Sequence, residues 1–182
     1  MLRAIDGGAS KSLESAVPTF EQLYRDYAGY VATIVARLLG RSSEVDDVVH
    51  ETFLQVQRAL PRLRDPRAVK GWLGTITVRV ARRHLRWTKL RQRLGLEAEM
   101  EVERYSSSST TLSADDYEFV QSAYARLSAL PTTERIAWVL RRVHGAQLAA
   151  VAAMCDCSLA TAKRRIAAAD RKLKHVEDPS GA

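Results

Sequence analysis

An all-α fold, in two helical units joined by a linker, is what this sequence predicts, and three observations predict it. Apolar residues recur at i, i+3, i+4 and i+7 along every long segment, with no strand-like alternation to compete. Breakers at Gly40, Pro61, Asp65-Pro66, Pro131 and Gly145 fall between those segments and divide them into helices of ordinary length. From Glu97 to Glu118 the composition then changes abruptly. Carboxylates at 97, 99, 101, 103, 115, 116 and 118 face only Arg104, and Ser106 to Thr111 is an unbroken hydroxyl run, as in a flexible linker. The expected divisions are a disordered tail at 1–17, a helical unit at 18–94, a linker at 95–114, a second helical unit at 115–176 and a tail at 177–182.

The first helix opens on Thr19, with Gln22 completing a capping-box pattern. It places Phe20, Leu23, Tyr24, Tyr27, Val31, Ile34, Val35 and Leu38 at helical spacing until Gly40 stops it. A second helix starts near Ser43, buries Val45, Val48, Val49, Phe53, Val56 and Leu60, and ends at Pro61; its other face is acidic. Asp65-Pro66 supplies a cap and a first-turn proline for a long helix from near Lys70 to beyond Trp87. Steps of about 100° set Val69, Leu73, Ile76 and Val80 on one side and Arg79, Arg82, Arg86, Lys89 and Arg93 on an adjacent stripe, with Trp72 and Arg83 at the seam.

Beyond the linker, Ser113 and Asp116 suggest the cap of a helix carrying Tyr117, Val120, Tyr124, Leu127 and Leu130. Pro131-Thr132 starts another, with Ile136, Val139, Leu140 and Val143 inward, and Gly145 breaks it. A short apolar helix from Gln147 to Met154 turns through Cys155-Asp156-Cys157. Ser158 caps a last helix with Leu159, Ala162, Ile166, Ala169 and Leu173 inside and Lys163, Arg164, Arg165, Arg171 and Lys172 outside.

The charge balance narrows the function. In 182 residues, 28 Lys and Arg against 21 Asp and Glu give a formal charge of +7, which favours a polyanionic partner. The longest strictly apolar run, Leu148 to Cys155, is far short of the about 20 residues that a spanning helix needs. Met1 to Ser15 carries charges and glycines where a secretory signal would have an apolar core, so no membrane insertion and a cytoplasmic location are expected. Cys155 and Cys157 are too closely spaced for an ordinary structural disulfide and too few for a structural zinc site, so they read as small core residues. The four histidines fall in separate segments, and neither a phosphate loop nor a nucleophile elbow occurs, so neither enzyme chemistry nor a cofactor or metal is expected.

Three features carry the functional reading. The short helix, tight turn and basic capped helix at the carboxy end have the form of a helix-turn-helix, whose second helix enters a major groove. Thr161, Lys163 and Arg164 are then candidates for base edges, with Arg165 and Lys172 on phosphates and Ser158 either a phosphate contact or simply the cap. Between Asp65 and Glu97 stand nine basic residues and no acidic one, with Trp72 and Trp87 beside them, as binding to single-stranded nucleic acid requires. The acidic helix presents Asp46, Asp47 and Glu51 outward with Leu54 on its border, either as a plain solvated face or as a dock for a basic protein.

The order of these parts resembles a known family. Asp46-Asp47-Val48-Val49-His50-Glu51-Thr52-Phe53, then Lys70-Gly71-Trp72-Leu73-Gly74-Thr75-Ile76, a polar linker, and Leu130-Pro131 leading to Ser158-Leu159-Ala160-Thr161-Ala162-Lys163-Arg164-Arg165, are similar to the extracytoplasmic-function (ECF) sigma factors of the sigma-70 family. The resemblance spans Phe20 to Leu173. It implies a two-domain, non-enzymatic initiation factor that brings core RNA polymerase to promoter DNA. On that reading Asp46, Asp47, Glu51 and Leu54 dock on the polymerase β′ coiled coil, and the second unit meets the β flap. Arg64, Arg67, Lys70, Trp72, Arg79, Arg82, Arg83 and Arg86 would capture and open the minus-ten element. Ser158, Thr161, Lys163, Arg164, Arg165 and Lys172 would read the minus-thirty-five element as duplex. An anti-sigma factor is a further candidate partner. A stand-alone helix-turn-helix regulator is the alternative. Relative to common family patterns, Arg79 stands where Asn is frequent and Asp156 where Gly is frequent.

Overall fold

The computed structural model describes residues 17–40, 43–95 and 114–174, and the side chains of all of these except 114–119 and 121. Most of both expected tails and of the linker, with Ser113 and His175, lie outside the described residues. Within them the chain is all-α: α1 (Phe20–Leu39), α2 (Val45–Ala59), α3 (Val69–Arg93), α4 (Ala114–Ala129), α5 (Thr132–Trp138), α6 (Leu148–Met154) and α7 (Leu159–Lys174). None of these helices is long and apolar enough to cross a membrane.

Local chemistry sets most helix ends. At α1 the Thr19 hydroxyl accepts from the Gln22 backbone N–H while the Gln22 side chain accepts from the Thr19 N–H, and Gly40 closes the helix in the left-handed region at φ 69°. Gly40 is also a point of close approach, because a Cβ there would collide with the Tyr124 ring of α4. The second helix starts two residues later than expected, with Glu44 rather than Ser43 at its head. Asp65 caps only a short 3-10 turn, Pro66–Ala68, which leads into α3. At the other end of the chain Ser158 Oγ accepts the Thr161 N–H at 3.1 Å. Asp156 holds the preceding turn at φ 51°, a conformation that Asp tolerates better than most residues.

Helices α1, α2 and α3 pack around Leu23, Val31, Ile34, Phe53, Val56 and Leu73, all buried. Thr52 and Thr77, polar in the pattern, are also fully buried, each donating its hydroxyl to the carbonyl four residues earlier. Tyr24 departs from expectation: it is 51% exposed, with its ring against those of Phe20 and Phe53.

Helices α4 to α7 form the second group, in which α5 packs against α7. Trp138 Nε1 and Arg142 both donate to the Asp170 carboxylate at 2.8 Å, and Lys172 pairs with Glu134 at 2.8 Å. Continuing from α5, Val139–Val143 widens into a π turn in which the His144 N–H reaches back to the Val139 carbonyl. The extra residue in that turn shifts the helical phase, so Val143, expected inward, is 44% exposed. Leu159 is likewise exposed at 47%, lying at the first position of α7 before the helix reaches its packing partners.

The two groups touch. Met154 of α6 and the Tyr30 hydroxyl crowd Gly74 of α3, where an added Cβ would lie 2.9 Å from Met154 Cε. Arg135 of α5 is buried and donates to the carbonyls of Leu38 and Leu39 at 2.7 and 3.3 Å, filling lone pairs left open at the carboxyl end of α1. From the other side, Lys89 of α3 donates to the Leu130 carbonyl at 3.1 Å, just past α4.

Candidate nucleic-acid interface

Helix α3 displays the basic stripe as its period requires. Val69, Leu73, Ile76 and Val80 are buried, whereas Arg79, Arg83 and Arg86 are exposed and Arg82 is half-buried. With Trp87, 61% exposed, and Leu90, these arginines line an open groove of about 340 Å³. An apolar, cation-walled groove suits a base or sugar flanked by phosphates. Trp72 is half-buried and packs against the core, in keeping with its place at the seam.

The segment before α3 is pinned by its own residues. Leu63 is buried between the 3-10 turns Leu60–Arg62 and Pro66–Ala68, and Asp65 accepts the Arg67 N–H at 2.9 Å. Arg64 and Arg67 are thereby turned outward and exposed. Lys70 is also exposed, its ammonium 5.2 Å from the centre of the Tyr30 ring.

On α2, Asp46 and Asp47 are exposed and Leu54 is half-buried at the border of the packed face. Glu51 differs from them. It accepts from Gln55 and Arg83, each at 2.9 Å, and these bonds hold its carboxyl below the usual carboxylate range. The carboxylate assigned to a protein dock and the arginine assigned to DNA thus neutralise one another across 32 residues of sequence.

On α7, Lys163 and Arg164 are exposed and free of ion pairs in the described structure, whereas Thr161 is half-buried with its hydroxyl 2.9 Å from that of Ser158. Capping therefore occupies Thr161 and Ser158, which lowers their availability for bases or phosphates. Lys172 is held by Glu134, and nine residues at about 100° each set it on the opposite side of α7 from Lys163. Arg165 of α7 and Arg82 of α3 both bear electrostatically on the buried Cys155, whose thiol burial pushes up to about 11. Such a thiol stays protonated at neutral pH, as a core residue does.

Two positions that join the groups of helices escaped the sequence reading. Arg135 looks like one more surface cation until its carbonyl partners on α1 appear. His144 shows no motif, yet it sits where the two groups of helices meet. Among the described residues no cluster of His, Cys, Asp or Glu is arranged to hold a metal ion.

Comparison with known proteins agrees with this layout. The family model for sigma-70 region 2 matches residues 23–91, covering α2 and nearly all of α1 and α3. The ECF RNA polymerase sigma-E factors of Salmonella typhimurium and Escherichia coli are each 28% identical over 167 residues, spanning 88% of this chain and 87% of theirs. Among solved structures, CnrH in complex with the cytosolic domain of CnrY superposes with a TM-score of 0.60 at 24% identity over 89% of each chain. The sigma factor RpoE of Bartonella quintana, solved with the anti-sigma factor NepR, gives 0.58 at 20% identity over 88% of this chain and 98% of that one. Residues 23–91 thus carry the pattern of sigma-70 region 2. Over most of its length the chain is similar to ECF RNA polymerase sigma factors.

Proposed function

We propose that this protein binds core RNA polymerase and directs it to promoters, the polymerase supplying all the chemistry. The observation that carries this is the division of charge: α2 turns carboxylates outward, α3 turns an arginine stripe outward, and α7 is a capped basic helix at the end of a left-handed turn. No single nucleic acid suits all three. An acidic face repels DNA, so it needs a basic protein, while the other two need phosphates.

Exposure of Asp46, Asp47, Arg64, Arg67, Lys70, Lys163 and Arg164 supports the assignments. Residues 18–94 form a sigma-2-like domain and 115–176 a sigma-4-like domain. Asp46, Asp47, Glu51 and Leu54 dock on the polymerase β′ coiled coil. Arg64, Arg67, Lys70, Trp72 and the stripe at Arg79, Arg82, Arg83 and Arg86 engage the minus-ten element, in which bases are extruded from the stack and held against aromatic and cationic groups. Lys163 and Arg164 take the leading part in reading the minus-thirty-five element, with Ser158, Thr161, Arg165 and Lys172 at its edges. The protein acts in the cytoplasm, where polymerase is, and an anti-sigma factor is a fitting antagonist because the relatives of this fold include one solved with such a partner.

Run-off transcription with core polymerase tests the proposal. Promoter-dependent transcripts that require this protein are expected. Binding of duplex DNA at high affinity without polymerase, and no transcripts with it, would instead identify a stand-alone helix-turn-helix regulator.

A further inference from the structure

His144 is the one histidine among the described residues that bridges the two groups of helices. The π turn Val139–Val143 ends on it, since its own N–H closes the i→i+5 bond to Val139, and that turn aims the imidazole at α1. Single π turns inside helices occur disproportionately at functional positions. The imidazole meets Arg37 of α1, whose guanidinium lies 3.0 Å from Nδ1, and its ring centre is 6.0 Å from that of Tyr30.

A guanidinium only donates. The bond at 3.0 Å therefore requires Nδ1 as an acceptor, which means a neutral ring carrying its proton on Nε2. Protonation would turn Nδ1 into a donor facing a donor. The charges that bear on the ring are unfavourable too: Arg37 from α1 and Lys70 from the start of α3, the latter stacked over Tyr30. From its own segment, Arg141 is turned to the Ala146 carbonyl and Arg142 to Asp170. Among the described residues, the charges that bear on the ring are these two cations.

We propose that the contact between the two groups of helices is a pH-sensitive catch, with His144 as its proton acceptor: neutral His144 holds the units together through Arg37, and protonated His144 drives them apart. Burial, Arg37 and Lys70, in that order, hold the imidazole below its ordinary value in the closed form. A base whose pKa is lower closed than open gives the closed form its full stability above the open-state value, near 6.5, and loses it as the pH falls below that. Acid therefore opens the molecule. The other closing contacts include Arg135 on the end of α1, Lys89 on Leu130 and Met154 against Gly74, which are cation–carbonyl bonds and apolar packing.

The consequence for transcription rests on the proposed function. Minus-ten and minus-thirty-five elements lie about 25 base pairs apart, roughly 85 Å at about 3.4 Å per pair. Two units in contact at His144 cannot reach both, so the open form is the DNA-competent one. The opening itself is a property of the free chain and is tested without polymerase.

Small-angle scattering of the full chain, followed from about pH 8 to about pH 5.5, reads the opening directly. A compact chain of this length has a radius of gyration of about 16 Å, and a rise of several ångström on acidification is expected while far-UV circular dichroism stays constant. In His144→Gln, which keeps an acceptor for Arg37 but takes no proton, the radius should stay at its high-pH value throughout. Lys70→Gln removes one of the two opposing charges and should move the opening to lower pH, so the proposal remains testable if the His144 variant does not fold. A radius that does not change with pH in the parent, or an equal rise in parent and His144→Gln, overturns the catch. Failure of transcription with an intact pH-dependent opening would instead overturn the proposed function alone.

Discussion

Arg135 is 8% exposed, with its guanidinium set against the last carbonyls of α1 and the rest of its side chain packed between the two groups of helices. Charge-assisted bonds to buried carbonyls are among the stronger ones, and truncation leaves those carbonyls dry and unsatisfied. Arg135→Ala should therefore lower unfolding free energy by about 3 kcal/mol, measured as a fall in the urea midpoint; a midpoint within error of the parent would show that water replaces the guanidinium. Asp170 makes a second residue-scale prediction. The Arg142 bond first, opposed by desolvation and aided by Trp138, holds its carboxyl below the usual range. Such an acid stabilises the fold above its unfolded pKa and loses that contribution as the pH falls through its folded one. Asp170→Asn should cost stability at neutral pH and progressively less in acid, until the two melting curves converge; a gap that stays constant with pH would mean that packing, not charge, sets the cost.

At the scale of elements, α7 is positioned by three separate devices: the left-handed turn at Asp156, the Ser158 cap and the Asp170 and Lys172 bonds to α5 and its continuation. The helix is thus fixed before DNA arrives, which leaves Lys163 and Arg164 as the exposed cations of its first two turns. Arg164→Ala should cost about 1–3 kcal/mol at one base pair and relax preference there. Lys172→Ala should act otherwise: it frees Glu134, weakens all sequences alike and lowers the salt slope by about one. A promoter library scored by transcription separates the two, and an identical uniform loss for both would make Arg164 a phosphate contact. The Glu51–Arg83 pair likewise ties α2 to α3, joining the acidic face to the basic stripe.

For the whole molecule, that pair decides how the polymerase dock is best tested. Reversing Glu51 would also release Arg83, so a loss of function could not be assigned to either surface. Asp46→Lys with Asp47→Lys is cleaner, because both carboxylates are exposed, and surface changes of this kind usually stay within about 0.5 kcal/mol in stability. Retention on immobilised core polymerase should fall at least tenfold while the melting temperature holds; unchanged retention would leave α2 as a solvated face. The 20 residues from Gly95 to Ala114 could span at most about 70 Å, so reaching elements about 85 Å apart also uses the breadth of the two units.

What the sequence alone determined was local. Thr19 with Gln22, Gly40 and Ser158 mark helix ends through bonds between residues three or four apart, and the buried and basic sides of α3 follow from its 3.6-residue period. Lys163, Arg164, Asp46 and Asp47 were legible as exposed charges for the same reason. Tertiary structure decided everything that needs a partner from afar: Glu51 for Arg83 across 32 residues, Leu38 for Arg135 across 97 and Arg37 for His144 across 107. It also decided Tyr24, Val143 and Leu159, expected inward but left exposed, Val143 by a π turn and Leu159 by its place at the start of α7. Periodicity fixes which side of a helix a residue occupies, but only the neighbouring helices determine whether anything lies against that side, and a polar group's pairing depends on chain crossings that no local pattern encodes.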